Sequence, residues 1–282
     1  VSRVLLRSLA ALVLTAAAGL IGWRVLAPAE VMSAAAVPFP APSVSAAQVT
    51  GRTNMAPLIV DESIRVYAGK RQVRADGPVD AKSVNTARWS LRRWPAQVSG
   101  VVAAGPTVIS RWSDGELIAV DGRTGKEVWR VATGLPTPGY EGHRTGASTV
   151  WAPVGLRVTG TAVVVDGGVA YDVGTGSRRP VPVASPPAAA PEPVDGTLLG
   201  VSRGRPVVLT EGRHLRVLSP DGAVVSDFPL AVGTEKLTWK PGLWQVTDDW
   251  VAIERLTGDG PADPEAPEHY FTLDTVIIAS LS

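Results

Sequence analysis

Among the residues able to do chemistry, the histidines come first, and their spacing is wrong for it. His143, His214 and His269 lie far apart, with no His-x-x-x-His pair to set two metal ligands on one helix face. Each reads as a loop or strand-surface residue. Four carboxylates, Asp259, Asp263, Glu265 and Glu268, gather in one short stretch, and hard cations such as calcium take oxygen ligands. Their spacing is not that of an EF-hand, and Pro261, Pro264 and Pro267 among them point to a stiff, solvated insertion. Cysteine is absent, so the chain has no thiolate nucleophile and no cysteine-ligated zinc. Neither a Gly-x-Ser-x-Gly elbow nor a Gly-x-x-x-x-Gly-Lys-Ser/Thr phosphate loop occurs. No catalytic or metal-binding residue is assigned, cofactor-binding residues are left open, and no cofactor is expected. With 27 basic residues against 26 acidic ones, a nucleic-acid partner is not expected either.

The elements that would position a site are more legible. From Gly105 to Val131 the chain reads as three short strands: Thr107 to Arg111, Leu117 to Val120, and Glu127 to Val131. Asp114-Gly115 joins the first two, because a two-residue hairpin turn needs positive φ, which Gly takes freely and Asp tolerates. Asp121-Gly122-Arg123-Thr124-Gly125 joins the next two, with Asp121 placed to accept backbone N–H bonds and Gly125 to take the left-handed position. Trp129 follows on the third strand. The unit recurs around Asp166-Gly167 and Asp172-Val173-Gly174-Thr175-Gly176, and more loosely around Glu211-Gly212 and Ser219 to Gly222. Ser83 to Trp89 resembles the turn and tryptophan of a preceding copy, and Trp250 to Leu256 with Tyr270 to Asp274 a following one. A period of roughly 40 to 55 residues means sheet blades or a solenoid. Trp112, Trp129, Trp151, Trp239, Trp244 and Trp250 offer a ligand platform, but tryptophan at strand ends of a repeat reads first as packing between sheets.

The run Ser113 to Trp129 resembles the quinoprotein-type (PQQ-like) β-propeller repeat, in the order Asp114-Gly115, apolar-Ala-apolar-Asp121, Thr124-Gly125, Trp129. Trp89 and Asp172, Thr175 and Gly176 carry the same pattern in other copies. The resemblance covers residues 58 to 279 and implies an all-β propeller of about five recognisable four-stranded blades. Leu58 to Val60 or Val276 to Ala279 is expected to complete a blade begun at the other terminus. Two departures stand out: Arg178-Arg179-Pro180 near one expected tryptophan, and Phe228 at another. The vicinal cysteine pair of quinone-cofactor dehydrogenases is missing, and propellers host unrelated activities. The expected function is a non-catalytic binding or scaffolding module working through its rim loops; Pro136 to Ser148 with His143 offers a lining for a propeller mouth but reads first as a plain connector. The alternatives are a quinone-cofactor dehydrogenase-like enzyme and a carbohydrate-binding propeller.

Residues 1–26 read as an N-terminal transmembrane anchor or signal segment: Arg3 and Arg7 precede the uncharged, mostly apolar run Ser8 to Trp23. As a helix this run spans about 24 Å against a hydrocarbon core of about 30 Å, and Ala27-Pro28-Ala29 offers a processing site as the rival reading. Residues 27–57, rich in Ala, Pro and Ser, are expected as a disordered linker, and 58–282 as the propeller domain. This predicts a single-pass cell-membrane protein with its body outside the cytoplasm and an envelope protein as partner. Between Asp61 and Trp94 basic residues outnumber acidic ones, which reads as a solvated face. Pro180 to Pro193 is expected as an exposed loop.

Overall fold

Turn chemistry at short intervals folds this chain into successive antiparallel meanders. The computed structural model describes residues 2–40, 46–80, 87–140, 145–166, 168–182, 196–211, 214–230, 240–256 and 275–282. A helix, α1 (Ser2–Leu26), leads into strands β1 (Ala29–Ser33) and β2 (Gln48–Thr53). Blade 1 is built from β3 (Leu58–Val60), β4 (Ile64–Gly69), β5 (Gln72–Pro78) and β6 (Trp89–Trp94), with β1 added outside β6 as a fifth strand. Blade 2 comprises β7 (Val98–Ala104), β8 (Thr107–Trp112), β9 (Glu116–Asp121) and β10 (Glu127–Ala132). A short helix, α2 (Ala147–Trp151), precedes blade 3, made of β11 (Leu156–Thr159), β12 (Ala162–Val165), β13 (Val169–Asp172) and β14 (Arg178–Arg179). Blade 4 holds β15 (Thr197–Ser202), β16 (Arg205–Thr210), β17 (His214–Leu218) and β18 (Val224–Pro229). Blade 5 takes β19 (Lys240–Val246), β20 (Trp250–Leu256) and β21 (Thr275–Ser280) from the C-terminal part, and its outer strand is β2.

Five consecutive meanders, the last one shared between the two ends of the chain, are the architecture of a β-propeller repeat protein. Each of the five sheets is open. The Val276 to Ala279 segment sits within the shared sheet, paired on one side with β20 and on the other with β2. Leu58 to Val60 instead forms the first strand of blade 1.

Alternation within the apolar runs decides how the sheets stack. On β9, Ile118 and Val120 join the core shared with blade 1, while Leu117 and Ala119 join the core shared with blade 3. On blade 5, Trp250, Ala252, Val276 and Ile278 face blade 1, and Val251, Ile253, Ile277 and Ala279 face blade 4. A strand buried on both faces needs apolar residues at nearly every position, which is why these runs are continuous. Blade 3 packs on blade 2 through Val163, Val165 and Tyr171, and its other face carries, among the described residues, a cluster of three small residues, Ala162, Val164 and Ala170.

Two expectations for the N-terminal part are corrected. Residues 27–57, expected as a disordered linker, contribute β1 and β2, and Phe39 among them is buried under the Arg88 guanidinium. The open edges of β6 and β21 supply backbone partners that an isolated Ala/Pro/Ser segment lacks. The transmembrane anchor is not supported, since no helix among the described residues is long and apolar enough to cross a membrane. Arg7 and Arg24 bound the apolar part of α1 on both sides, which leaves it short of the hydrocarbon thickness.

The basic stretch of blade 1 is a solvated face only in part: among the described residues Lys70, Arg88 and Arg92 are exposed, and the others are buried or engaged. Arg65 is 2% exposed, Arg71 stacks 3.7 Å from the centre of the Trp94 ring, and Arg88 covers Phe39. Arg65 stands opposite Asp76 in the ladder, yet its Nε and Nη2 and both Asp76 carboxylate oxygens lack hydrogen bonds, and Arg74 approaches Asp76 at 3.5 Å. Burial pushes the Asp76 carboxyl up, outweighing the two neighbouring guanidinium groups. A carboxyl raised on folding contributes stability below its unfolded pKa of 3.8 and loses it as pH rises through the folded value. Asp76→Asn is therefore expected to be more stable than the parent at pH 7, by on the order of 1 kcal/mol, with the gap closing as pH falls toward 4. Paired thermal melts at the two pH values check this; a constant gap, or a destabilised variant at pH 7, contradicts it.

The Ser83 to Thr86 turn, Gly167, Gly212, most of the Pro180 to Pro193 loop, His143, His269, Trp239, the Asp259 to Glu268 stretch and Tyr270 to Asp274 lie outside the described residues.

Candidate binding site

The repeat residues build joints between blades. Asp121 Oδ1 accepts the Arg123 and Thr124 amides, each at 2.9 Å, and Gly125, at φ 72°, donates its amide to the Asp121 carbonyl at 2.7 Å. Asp172 does the same with Gly174 and Thr175, both at 3.0 Å, and Gly176 sits at φ 70°. Asp114 and Gly115 make the β8–β9 hairpin, with Gly115 at φ 86° and the Asp114 carboxylate accepting the Glu116 amide at 3.3 Å. The Asp121 and Asp172 turns then each receive a tryptophan from the blade before. Trp89 Nε1 donates to the Gly122 carbonyl at 2.6 Å, and Trp129 Nε1 to the Val173 carbonyl at 2.7 Å. These carbonyls occupy the same place, one residue after the turn aspartate. A Cβ on Gly125 would lie 2.3 Å from Trp89 Cβ, and one on Gly176 would lie 2.8 Å from the Trp129 ring, so the glycine leaves the floor on which the ring rests.

Blade 3 lacks the tryptophan, and among the described residues its replacement makes no such bond to the next blade. Arg179 occupies the register position of Trp129, opposite Ala170 as Trp129 is opposite Ala119. Its guanidinium turns back to Thr161 Oγ1 and Asp172 Oδ2, each at 2.8 Å, within its own blade. In blade 4 the same register position holds Ser226, and Phe228 packs against the core shared with blade 5.

The concave site lies where the first strands of blades 1, 2, 3 and 5 converge. A pocket of about 510 Å³ is lined there by Leu58, Val102, Trp151, Leu156, Arg157 and Trp244, among others. Helix α2 forms one wall and is fastened from several sides. Trp151 Nε1 donates to the Pro57 carbonyl at 2.9 Å, the Thr145 hydroxyl donates to the buried Glu254 carboxylate, and the Thr145 carbonyl accepts the Ala56 amide at 2.7 Å. Gln245 pairs its amide with both backbone groups of Ile59, at 2.8 and 3.0 Å, extending the blade 5 strand toward blade 1. Trp244 Nε1 donates to the Leu199 carbonyl at 2.7 Å. With these groups engaged, the pocket offers an apolar wall of two indoles, and Arg157 stands exposed at its edge. Such a surface takes an apolar or aromatic group with an adjacent anionic or polar one.

A second cluster, missed in the sequence, joins blades 1 and 2. Glu30 on β1 accepts Arg93 Nε at 2.9 Å and both Arg130 Nη atoms at 2.9 and 2.5 Å; Arg93 also pairs with Asp114 at 3.0 Å and Glu116 at 2.6 Å. Hydrogen bonding from Arg130 leads in holding the Glu30 carboxyl below its usual range, against partial burial. The sequence signal was absent because these residues are distant in the chain. Of the three histidines only His214 is described; it contacts Asp227 at 3.0 Å on the exposed outer strands of blade 4. Among the described residues no group of three or more metal-ligating side chains forms.

No protein-family model matches the chain, and no curated protein matches it. Among solved structures, BamB from Moraxella catarrhalis is 18% identical over 75% of this chain and 62% of its own, with a TM-score of 0.31. The Cps50 (Swd1) β-propeller domain of Myceliophteria thermophila is 12% identical over 80% of this chain and 71% of its own, also at 0.31. The chain thus spans about 62% of the length of that BamB chain.

Proposed function

We propose that this chain is a non-catalytic binding or scaffolding module whose partner, an envelope protein, docks at the pocket beside α2. One observation carries the reading: the repeat residues are consumed in blade joints, while Trp151, Trp244 and Arg157 remain grouped around a concave, largely apolar surface. Aromatic residues with an arginine are the composition of binding hot spots. Affinity capture from an envelope extract, using the full chain, tests it. Arg157→Glu, at an exposed position, is expected to lose roughly tenfold or more of what the parent retains. Val225→Ser, on the exposed outer strand of blade 4, is expected to retain it. Equal capture by both variants contradicts the site. The two indoles also suit a sugar ring, so retention on immobilised glycan, lost in the same variant, would favour the carbohydrate reading.

We propose also that the body works outside the cytoplasm, with residues 1–26 as the signal segment that directs it there. Arg3 and Arg7 ahead of an apolar run support this, as do Leu12, Leu14 and Trp23, which stand 68%, 70% and 71% exposed. Recovery of the full-length chain entirely in the cytoplasmic fraction would overturn it.

A further inference from the structure

Among the described residues, blade 1 alone of the five sheets carries an added outer strand. β1 pairs with β6 over five positions, from Ala29 opposite Trp94 to Ser33 opposite Ser90. It is held with little burial. Ala29, Glu30, Val31 and Ser33 are exposed, Val31 at 60%, and Met32 alone of the strand packs against the core. What it contributes in specificity comes from one side chain: the Glu30 carboxylate lies between Arg93 and Arg130 and so bridges the outer strands of blades 1 and 2. A carboxylate held by two guanidinium groups, one of them bidentate, is a strong and directional recognition element.

The receiving surface is built without Glu30. Arg93 keeps Asp114 and Glu116 as partners, and Arg130 keeps Glu116 at 3.4 Å and Glu127 at 2.7 Å. These carboxylates are the contacts that would remain to both guanidinium groups without the strand. Beside Ala29 a pocket of about 490 Å³, walled by Trp94, Pro95 and Ser113, has room for the residue that precedes the carboxylate. C-terminal to β1 the chain is fastened independently, by the Ala35 and Phe39 amides on the Thr124 and Arg123 carbonyls and by the buried Phe39 ring. Release of β1 therefore need not disturb the anchored residues from Ala35 to Phe39.

We infer that the outer edge of β6, with Arg93 and Arg130, is a strand-acceptor site for an extended peptide segment of a partner that places a carboxylate in register with Glu30, and that β1 is its resident, displaceable occupant. Backbone pairing supplies affinity in such strand addition, and the side-chain contact supplies selectivity. This surface is distinct from the pocket beside α2.

The test uses the full chain and a fluorescent peptide of residues 28–35 as probe, read by anisotropy. In the parent the edge is occupied and the peptide is expected to bind weakly. Glu30→Lys, which breaks the clasp, and Val31→Pro, which disfavours strand pairing, are each expected to bind it roughly tenfold tighter or more. Against the Val31→Pro chain, a peptide with lysine in place of the glutamate is expected to lose that gain, as is the unaltered peptide when Arg130→Glu is added. Variants that melt like the parent and yet bind no better, or that bind both peptides alike, would overturn the inference.

Discussion

Deletion of residues 276–282 is expected to abolish the cooperative unfolding transition of the whole body, not merely to fray one end. β21 is the only described link between β20 and the N-terminal strand β2, so its loss strips β2 of its partner and opens blade 5. Val276, Ile277, Ile278 and Ala279 are all at most 2% exposed and contribute alternately to the cores shared with blade 1 and blade 4. Burial of a Val or Ile side chain stabilises by about 1.5–3 kcal/mol, so the three larger residues represent roughly 5–9 kcal/mol, against a total of roughly 5–15 for a typical domain. Blade 5 is also tied to blade 1 through the Glu62 carboxylate, which accepts the Thr247 hydroxyl at 2.7 Å and the Asp249 amide at 3.0 Å. Denaturant unfolding followed by tryptophan fluorescence is the measurement. A truncated chain with the parent's midpoint and slope would mean that the shared blade does not hold the ends together.

Trp129→Ala is expected to cost roughly 3–5 kcal/mol while leaving partner binding intact in the folded fraction. The ring is 7% exposed, packs against the glycine of the next blade's turn, and donates its N–H to Val173, so its removal leaves a cavity and an unpaired carbonyl at once. Gly176→Ala attacks the same joint from the other side. Its Cβ would enter the Trp129 ring at 2.8 Å from a backbone already at φ 70°, so a loss of roughly 1–3 kcal/mol is expected. Because the pocket beside α2 does not include Trp129, capture by the folded fraction should match the parent. Unchanged stability with lost capture would make this tryptophan a ligand platform instead.

The sequence by itself determined whatever depends on residues a few positions apart. Asp121 and Gly125, or Asp172 and Gly176, specify a turn because the carboxylate reaches amides two and three residues on and the glycine takes a positive φ that other residues resist. Alternation along Ile118, Ala119 and Val120 specifies a strand whose two faces are both covered. Which surfaces those faces meet is a different matter. Trp129 was legible as packing, but that its ring rests on Gly176 is set by the stacking of whole sheets. The segment from Ala29 to Thr53 has too little apolar pattern to order itself, and its strands exist because β6 and β21 present open edges far away in the chain. Arg65 and Arg93 look solvated in a basic run, yet one is buried beside Asp76 and the other clasps Glu30 from a strand 63 residues earlier. The pocket beside α2 likewise draws on strands of four blades, and no local rule in the chain encodes their convergence, because it follows from the geometry of packing one twisted sheet on the next.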